Sequence, residues 1–189
     1  MSTIFSHALV GIAATKLAFR EDRGNKIATW AVVLSMLPDL DVLAFPFGIH
    51  YGHFFGHRGF SHSLFFALMV SALLVAAEFR EVPRWSPGWW RLTGFFFLVT
   101  ASHGVLDAMT DGGLGVAFFS PFENSRYFLP WTPLQVSPIG RGFFSGEGIE
   151  VLLNELLWIG LPCALLLAAA RRVRKNNQTP IHADKRGRI

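Results

Sequence analysis

Apolar side chains along this chain gather in five stretches, at about 4–19, 26–37, 62–79, 89–109 and 148–170, and each reads as a helix. The first is punctuated by small residues (ALVGIAA), and the second stops at Pro38 and the acidic pair of LPDLD. A membrane-crossing helix needs about 20 predominantly apolar residues. The third to fifth stretches approach that length. The first two are shorter and are expected to tilt, to stop at the interface, or to be covered by their neighbours.

The polar segments between them are of two kinds, and they alternate. Segments 20–26 (REDRGNK) and 80–91 (REVPRWSPGWWR), with the tail from Arg171, are basic. Segments 40–60 and 110–147 are long, aromatic and rich in Gly and Pro. Fourteen of the 17 Lys and Arg residues fall at the first end, counting Lys16, and only Arg58, Arg126 and Arg141 at the second. The positive-inside rule therefore places the basic end, with the tail 171–189, in the cytoplasm and the aromatic end at the periplasm or outer surface. An up-and-down bundle then has a second consequence. It brings His7, Asp39, Asp41, His57, His62, His103, Asp107, Glu150 and Glu155 to one end, although none of them entered the topology argument.

Composition agrees with a membrane bundle. Charged residues are 16% and mean hydropathy is +0.38, against about 25% charged in soluble domains. The predicted architecture is all-α: a multipass membrane bundle of about five helices over 1–170, followed by a basic cytoplasmic tail at 171–189. The single cysteine, Cys163, permits neither an intrachain disulfide nor a thiolate cage, so a metal would rest on His, Asp and Glu. The first residues lack the basic region of a cleavable signal and are expected to stay.

Several of the clustered groups suit a cation, and each also has a plainer reading. His103 and Asp107 stand four apart on one helix face, where they can share an ion such as zinc or simply hydrogen-bond. Asp39 and Asp41 can serve chemistry, cap a helix end, or mark a solvated turn. His57 and His62 flank a glycine turn that can fold both rings to one point; they can equally bond loop backbone. His50 and His53 read as interfacial loop residues, and His182 as a solvated tail residue. His7 reads as a hydrogen-bonded histidine of the core or interface. Glu155 sits in EVLLNELLWIGLP, where an ionised carboxylate at bilayer centre would cost about 2.5–3.5 kcal/mol. It is expected to face inward to a metal, a metal-bound histidine or a salt-bridge partner. Arg58, Arg126 and Arg141 can bind phosphate oxygens bidentately, or anchor to headgroups.

The ordered motifs FSHALVG, LPDLD, GHRGFSHS, SHGVLDAMTDGG and SPFENSRYFLPW resemble the YdjM-like membrane-bound metal-dependent hydrolases. The likeness runs to about Pro162. That family is grouped distantly with zinc-dependent phospholipase C and the zinc single-strand nucleases, all-helical enzymes with clustered zinc ions. The resemblance implies a phospholipase C-like arrangement with ligands drawn from His7, Asp39, His57, His62, His103 and Asp107. The second H-x-x-x-E pair of phospholipase C has no counterpart, because Gly146 and Val151 stand four before Glu150 and Glu155. Glu155 is kept in the metal set on its position alone, and two zinc ions are expected, with three as the upper limit.

The expected function is a metal-dependent phosphoester hydrolase of the inner membrane. It would act on a phospholipid or lipid-linked phosphate at the outer face, with water activated by the metal. Asp39 or Asp41 would orient or deprotonate that water, and Arg58, with Arg126 and Arg141, would hold the phosphate. Nucleic acid is not an expected partner, because the basic surface lies at the opposite end. The alternatives are a non-enzymatic divalent-metal binder, a transporter, or a scaffold using its basic tail.

Overall fold

The computed structural model describes residues 2–19, 24–138 and 140–176, with the side chains of Arg141 and Asn176 outside that description. It is all-helical. Among the described residues no strand forms, only isolated bridges pairing Thr110 with Leu134 and Val116 with Tyr127.

Helix α1 spans Ile4–Ala18 and α2 spans Gly24–Met36. They run together closely because Gly11 has no side chain; a Cβ there would stand 2.9 Å from the Ala31 carbonyl oxygen. Pro38 does not end the second element. Its missing N–H falls in the first turn of a 3₁₀ helix, Leu37–Phe47, where that donor would be unpaired anyway. Asp39 and Asp41 are therefore held on a wound, rigid segment.

A tight loop and a 3₁₀ turn, Phe60–His62, lead to α3, Leu64–Glu78. Ser63 caps it, its hydroxyl accepting from Phe66 N at 3.0 Å. Helix α4 spans Pro87–Ala108, with Pro87 in its first turn and Ser86 as its cap. Helix α5, Gly146–Glu155, passes through a π turn at Leu156–Gly160 into α6, Leu161–Asn176. Pro162 explains the π turn: its ring would crowd the Trp158 carbonyl of a regular helix, and the wider winding accommodates it. The helix runs on through 171–176, past the expected start of the tail; the tail residues 177–189, His182 included, lie outside the described residues, as do Arg20 and Arg23.

The apolar core packs Ile27, Ala31 and Leu34 of α2 against Val75 and Phe79 of the α3 end and Trp89, Phe96 and Val99 of α4. It fills the half of the bundle nearest the α3–α4 turn. At the other half the helix ends carry histidines and carboxylates. Among the described residues two rods are long and apolar enough to cross a membrane, Asn25–Phe47 at 23 residues and Gly146–Lys175 at 30. This corrects the length expectation. The 3₁₀ extension lengthens the second element past the threshold, whereas α3 stops at 15 residues. Large side chains such as Leu73, Leu98, Leu156 and Leu165 are more than half exposed on the outer faces. Contiguous apolar surface of that kind suits a lipid neighbour.

Candidate metal centre

Three elements deliver the ligand atoms. The 3₁₀ helix after α2 supplies Asp39, and the turn before α3 supplies His62. The last turns of α4 supply His103 and Asp107. These four side chains are buried, and one ligand atom from each lies within 4.8 Å of all the others. His62 Nε2 is 3.1 Å from His103 Nε2. Asp39 Oδ1 is 3.3 Å from His103 Nε2 and 3.7 Å from His62 Nε2. Asp107 Oδ2 is 3.5 Å from His62 Nε2 and 4.0 Å from His103 Nε2.

The outer partners of both rings decide what those nitrogens are. His103 Nδ1 is 2.7 Å from the Ser35 carbonyl oxygen, which can only accept, so the proton is on Nδ1. His62 Nδ1 faces Asp41 Oδ2 at 3.2 Å. A neutral ring bonded in this way turns a bare Nε2 inward. Two ring nitrogens and two carboxylate oxygens then converge, and Arg58 Nε donates to Asp107 Oδ2 from outside the group. Two carboxylates and two imidazoles packed this closely favour positive charge at their centre, as a proton on His62 or as a metal ion. Imidazole and carboxylate are the donors of zinc and related divalent ions, and an outer N–H on a carbonyl or carboxylate is the usual support of a metal-bound histidine. The residues fit a metal ion. Without an ion a proton takes that place: burial disfavours the charged His62 ring, but the carboxylates of Asp107, Asp39 and Asp41 outweigh burial and raise its pKa well above the usual value.

A second group adjoins the first. His57 Nδ1 lies 2.7 Å from Asp41 Oδ1, and Asp41 Oδ2 accepts from Ser61 Oγ at 2.6 Å and from Arg58 N at 3.3 Å. Asp41, His57 and His62 form another cluster able to hold an ion. Asp41 is thus shared by two histidines, and His57 Nε2 is left buried with no hydrogen-bond partner. The loop reaches this geometry because Gly56 packs directly beneath the His50 carbonyl, 2.2 Å from where a Cβ would be. His50 and His53 stay on its exposed surface, outside both groups.

The other expected residues divide sharply. His7 stacks on His103 with ring centroids 3.7 Å apart, and its Nε2 contacts Ser2 Oγ at 2.9 Å. It lies 3.7 Å from Asp107 Oδ1, beside the four-ligand group rather than in it. Glu155 is in neither group. Its carboxylate accepts from Thr3 N, Thr3 Oγ1 and Ser6 Oγ, so it ties α5 to the start of α1. Glu150 is exposed.

Arg58 is fully buried in a left-handed backbone conformation, φ 62°. Its Nε donates to Asp107 Oδ2 at 3.1 Å, Nη1 to Gly112 O at 2.9 Å and Nη2 to Thr110 Oγ1 at 2.9 Å. The guanidinium is a buried counter-ion of Asp107 and does not face solvent. Arg126 is half-buried and bonds the carbonyls of His57, Tyr51 and His53, clamping the histidine loop. The Arg141 side chain lies outside the described residues. Ser2, Ser35 and Ser61 were not singled out by sequence reasoning, because a serine's spacing carries no chemical signature.

The family model for YdjM inner membrane proteins matches residues 1–177. The inner membrane protein YbcI of Escherichia coli strain K12 is 37% identical over 169 residues, which is 88% of this chain and 95% of that protein. No solved structure matches.

Proposed function

The chain belongs to the YdjM inner membrane protein family, and on that footing we propose that it is a metal-dependent phosphoester hydrolase whose substrate is a phospholipid or another lipid-linked phosphate. One observation carries the metal: two imidazole nitrogens and two carboxylate oxygens from separate segments meet in a buried space, all within 4.8 Å of one another. A divalent ion there would lower the pKa of a coordinated water and polarise a phosphoryl oxygen. Asp39, His62, His103 and Asp107 would hold it, and Arg58 balances Asp107.

Support for chemistry beyond storage comes from His57. Asp41 holds its Nδ1, so the ring is oriented with Nε2 free, the arrangement of a general base backed by a carboxylate. His57 Nε2 takes the proton of the attacking water in this scheme, a role sequence reasoning gave to Asp39 or Asp41. The phosphoester rests on the family's distant grouping with zinc-dependent phospholipases and on the H-x-x-x-D likeness of His103 and Asp107, and the lipid on the membrane setting. The multipass topology, with the site outward and the tail in the cytoplasm, rests on the distribution of basic residues.

Complete burial of His57, His103 and Asp107 favours a second reading, a metal binder without turnover. Elemental analysis of detergent-purified protein, alongside His103→Ala, tests the metal. Equal metal in both proteins overturns the site. Release of a phosphorylated headgroup from phospholipid vesicles, lost in His57→Ala while metal is retained, separates hydrolase from binder.

A further inference from the structure

The opposite end of the bundle holds a cleft of about 620 Å³ at the α3–α4 turn. That is the size of a small-molecule site. Its walls are apolar, with Leu73, Phe79, Val82 and Pro83 among them, and two arginines, Arg80 and Arg84, stand in its lining. Arg80 Nε is tied to the Ala77 carbonyl at 2.9 Å, which fixes the side chain beside the cleft. Arg84 has no hydrogen-bond or ion-pair partner among the described residues, and neither Glu78 nor Glu81 pairs with either arginine. Lys26 adds a third cation, its Nζ 4.6 Å from the centroid of the Phe79 ring.

Two further features fix the chemistry of the occupant. Trp85, Trp89 and Trp90 pack together beside the cleft, with centroids 4.8–5.7 Å apart, and Trp85 and Trp90 are 69% and 51% exposed. Exposed indoles of this kind sit at the headgroup level of a bilayer. From the cleft an exposed apolar stripe, Leu73, Met69 and Phe65, runs along α3 at four-residue spacing. Cationic groups at headgroup depth over an apolar track match one amphiphile.

We propose that this cleft binds an anionic phospholipid, with its phosphate on Arg80 and Arg84 and an acyl chain along the α3 stripe. The site is separate from the metal centre and independent of the hydrolase reading. It would fasten the turn between α3 and α4 to one leaflet.

Native mass spectrometry of the full detergent-purified chain with phosphatidylglycerol, against phosphatidylcholine of the same acyl chains, tests it. Phosphatidylglycerol is retained preferentially, and Arg84→Ala weakens it roughly fivefold, as expected for one basic side chain at an anionic surface. Arg80→Ala with Arg84→Ala weakens it further, while helical circular dichroism stays unchanged. Equal retention of both lipids, full retention by the double variant, or an equal loss in Arg171→Ala with Arg172→Ala overturns the proposal. Displacement by millimolar inorganic phosphate also overturns it, assigning the arginines to a soluble anion.

Discussion

Glu155 and Asp39 are both buried carboxylates, 2% and 7% exposed, and their surroundings are opposite. Glu155 meets only donors: Thr3 N, Thr3 Oγ1 and Ser6 Oγ. Asp39 faces the Nε2 atoms of His62 and His103, and neither of its oxygens has a hydrogen-bond partner. The first carboxylate is completed by the fold. The second is left at a desolvation cost that hydrogen bonding does not offset. Burial alone would have assigned both to the same role; the donors around them separate a structural clamp from a cation site.

Asp107 belongs to both kinds of surrounding, so its removal has the largest expected effect. Oδ1 accepts from Ser2 N at 2.9 Å, while Oδ2 meets Arg58 and the two histidines. Asp107→Ala strips a metal ligand and leaves a buried guanidinium without its counter-ion. A loss of about 3–5 kcal/mol is expected from the latter alone, together with loss of the metal. Denaturant unfolding in detergent and elemental analysis measure the two effects. A stable Asp107→Ala protein that keeps its metal would break the contrast between the two regions.

Glu155→Ala comes next. It leaves buried Thr3 and Ser6 donors unpaired, for a loss of roughly 1–3 kcal/mol, with metal content unchanged. Metal loss at undiminished stability would instead make Glu155 a ligand, as its place in an apolar helix had suggested.

That difference shows where the sequence was legible. Helices α1 to α4 and their shared polar end follow from the spacing of apolar stretches and basic loops. His103 and Asp107 follow from helical periodicity, since residues four apart share a face. The 3₁₀ winding beyond Pro38 was hidden because Pro38 signals a stop equally well as a first turn. Glu155 was legible only in part, because a lone carboxylate in an apolar run states that a partner exists and not which one. Arg58 shows the same limit: beside His57 it looks like an anion receptor, and its contact with Asp107 comes from a distant segment. Partners brought from distant segments are a property of packing, and no local pattern encodes them.

Asp41→Asn sharpens the contrast from the supporting side. Asp41 orients His57 and His62 without joining the four-ligand group. The amide still accepts from one ring but offers N–H where the other needs an acceptor. Metal affinity measured against a chelator is expected to fall roughly 10–100-fold, the usual effect of losing an outer partner of a ligand. Unchanged affinity would mean that Asp41 does not hold the rings.

The smallest effects make the cleanest comparison, because two serines each give one hydroxyl to a buried carboxylate. Ser6 Oγ donates to Glu155 at 2.7 Å, and Ser61 Oγ to Asp41 at 2.6 Å. Replacing either by Ala deletes one hydrogen bond, worth about 1 kcal/mol, and changes little volume. Ser6→Ala should lower the unfolding free energy by that amount and leave chelator competition untouched, since Glu155 keeps both Thr3 donors. Ser61→Ala should instead weaken metal retention, because Asp41 then has fewer constraints on where it holds His57 and His62. If both variants changed stability alone, the two carboxylates would be doing the same structural job, and the arrangement around Asp39 would lose its claim to be a cation site.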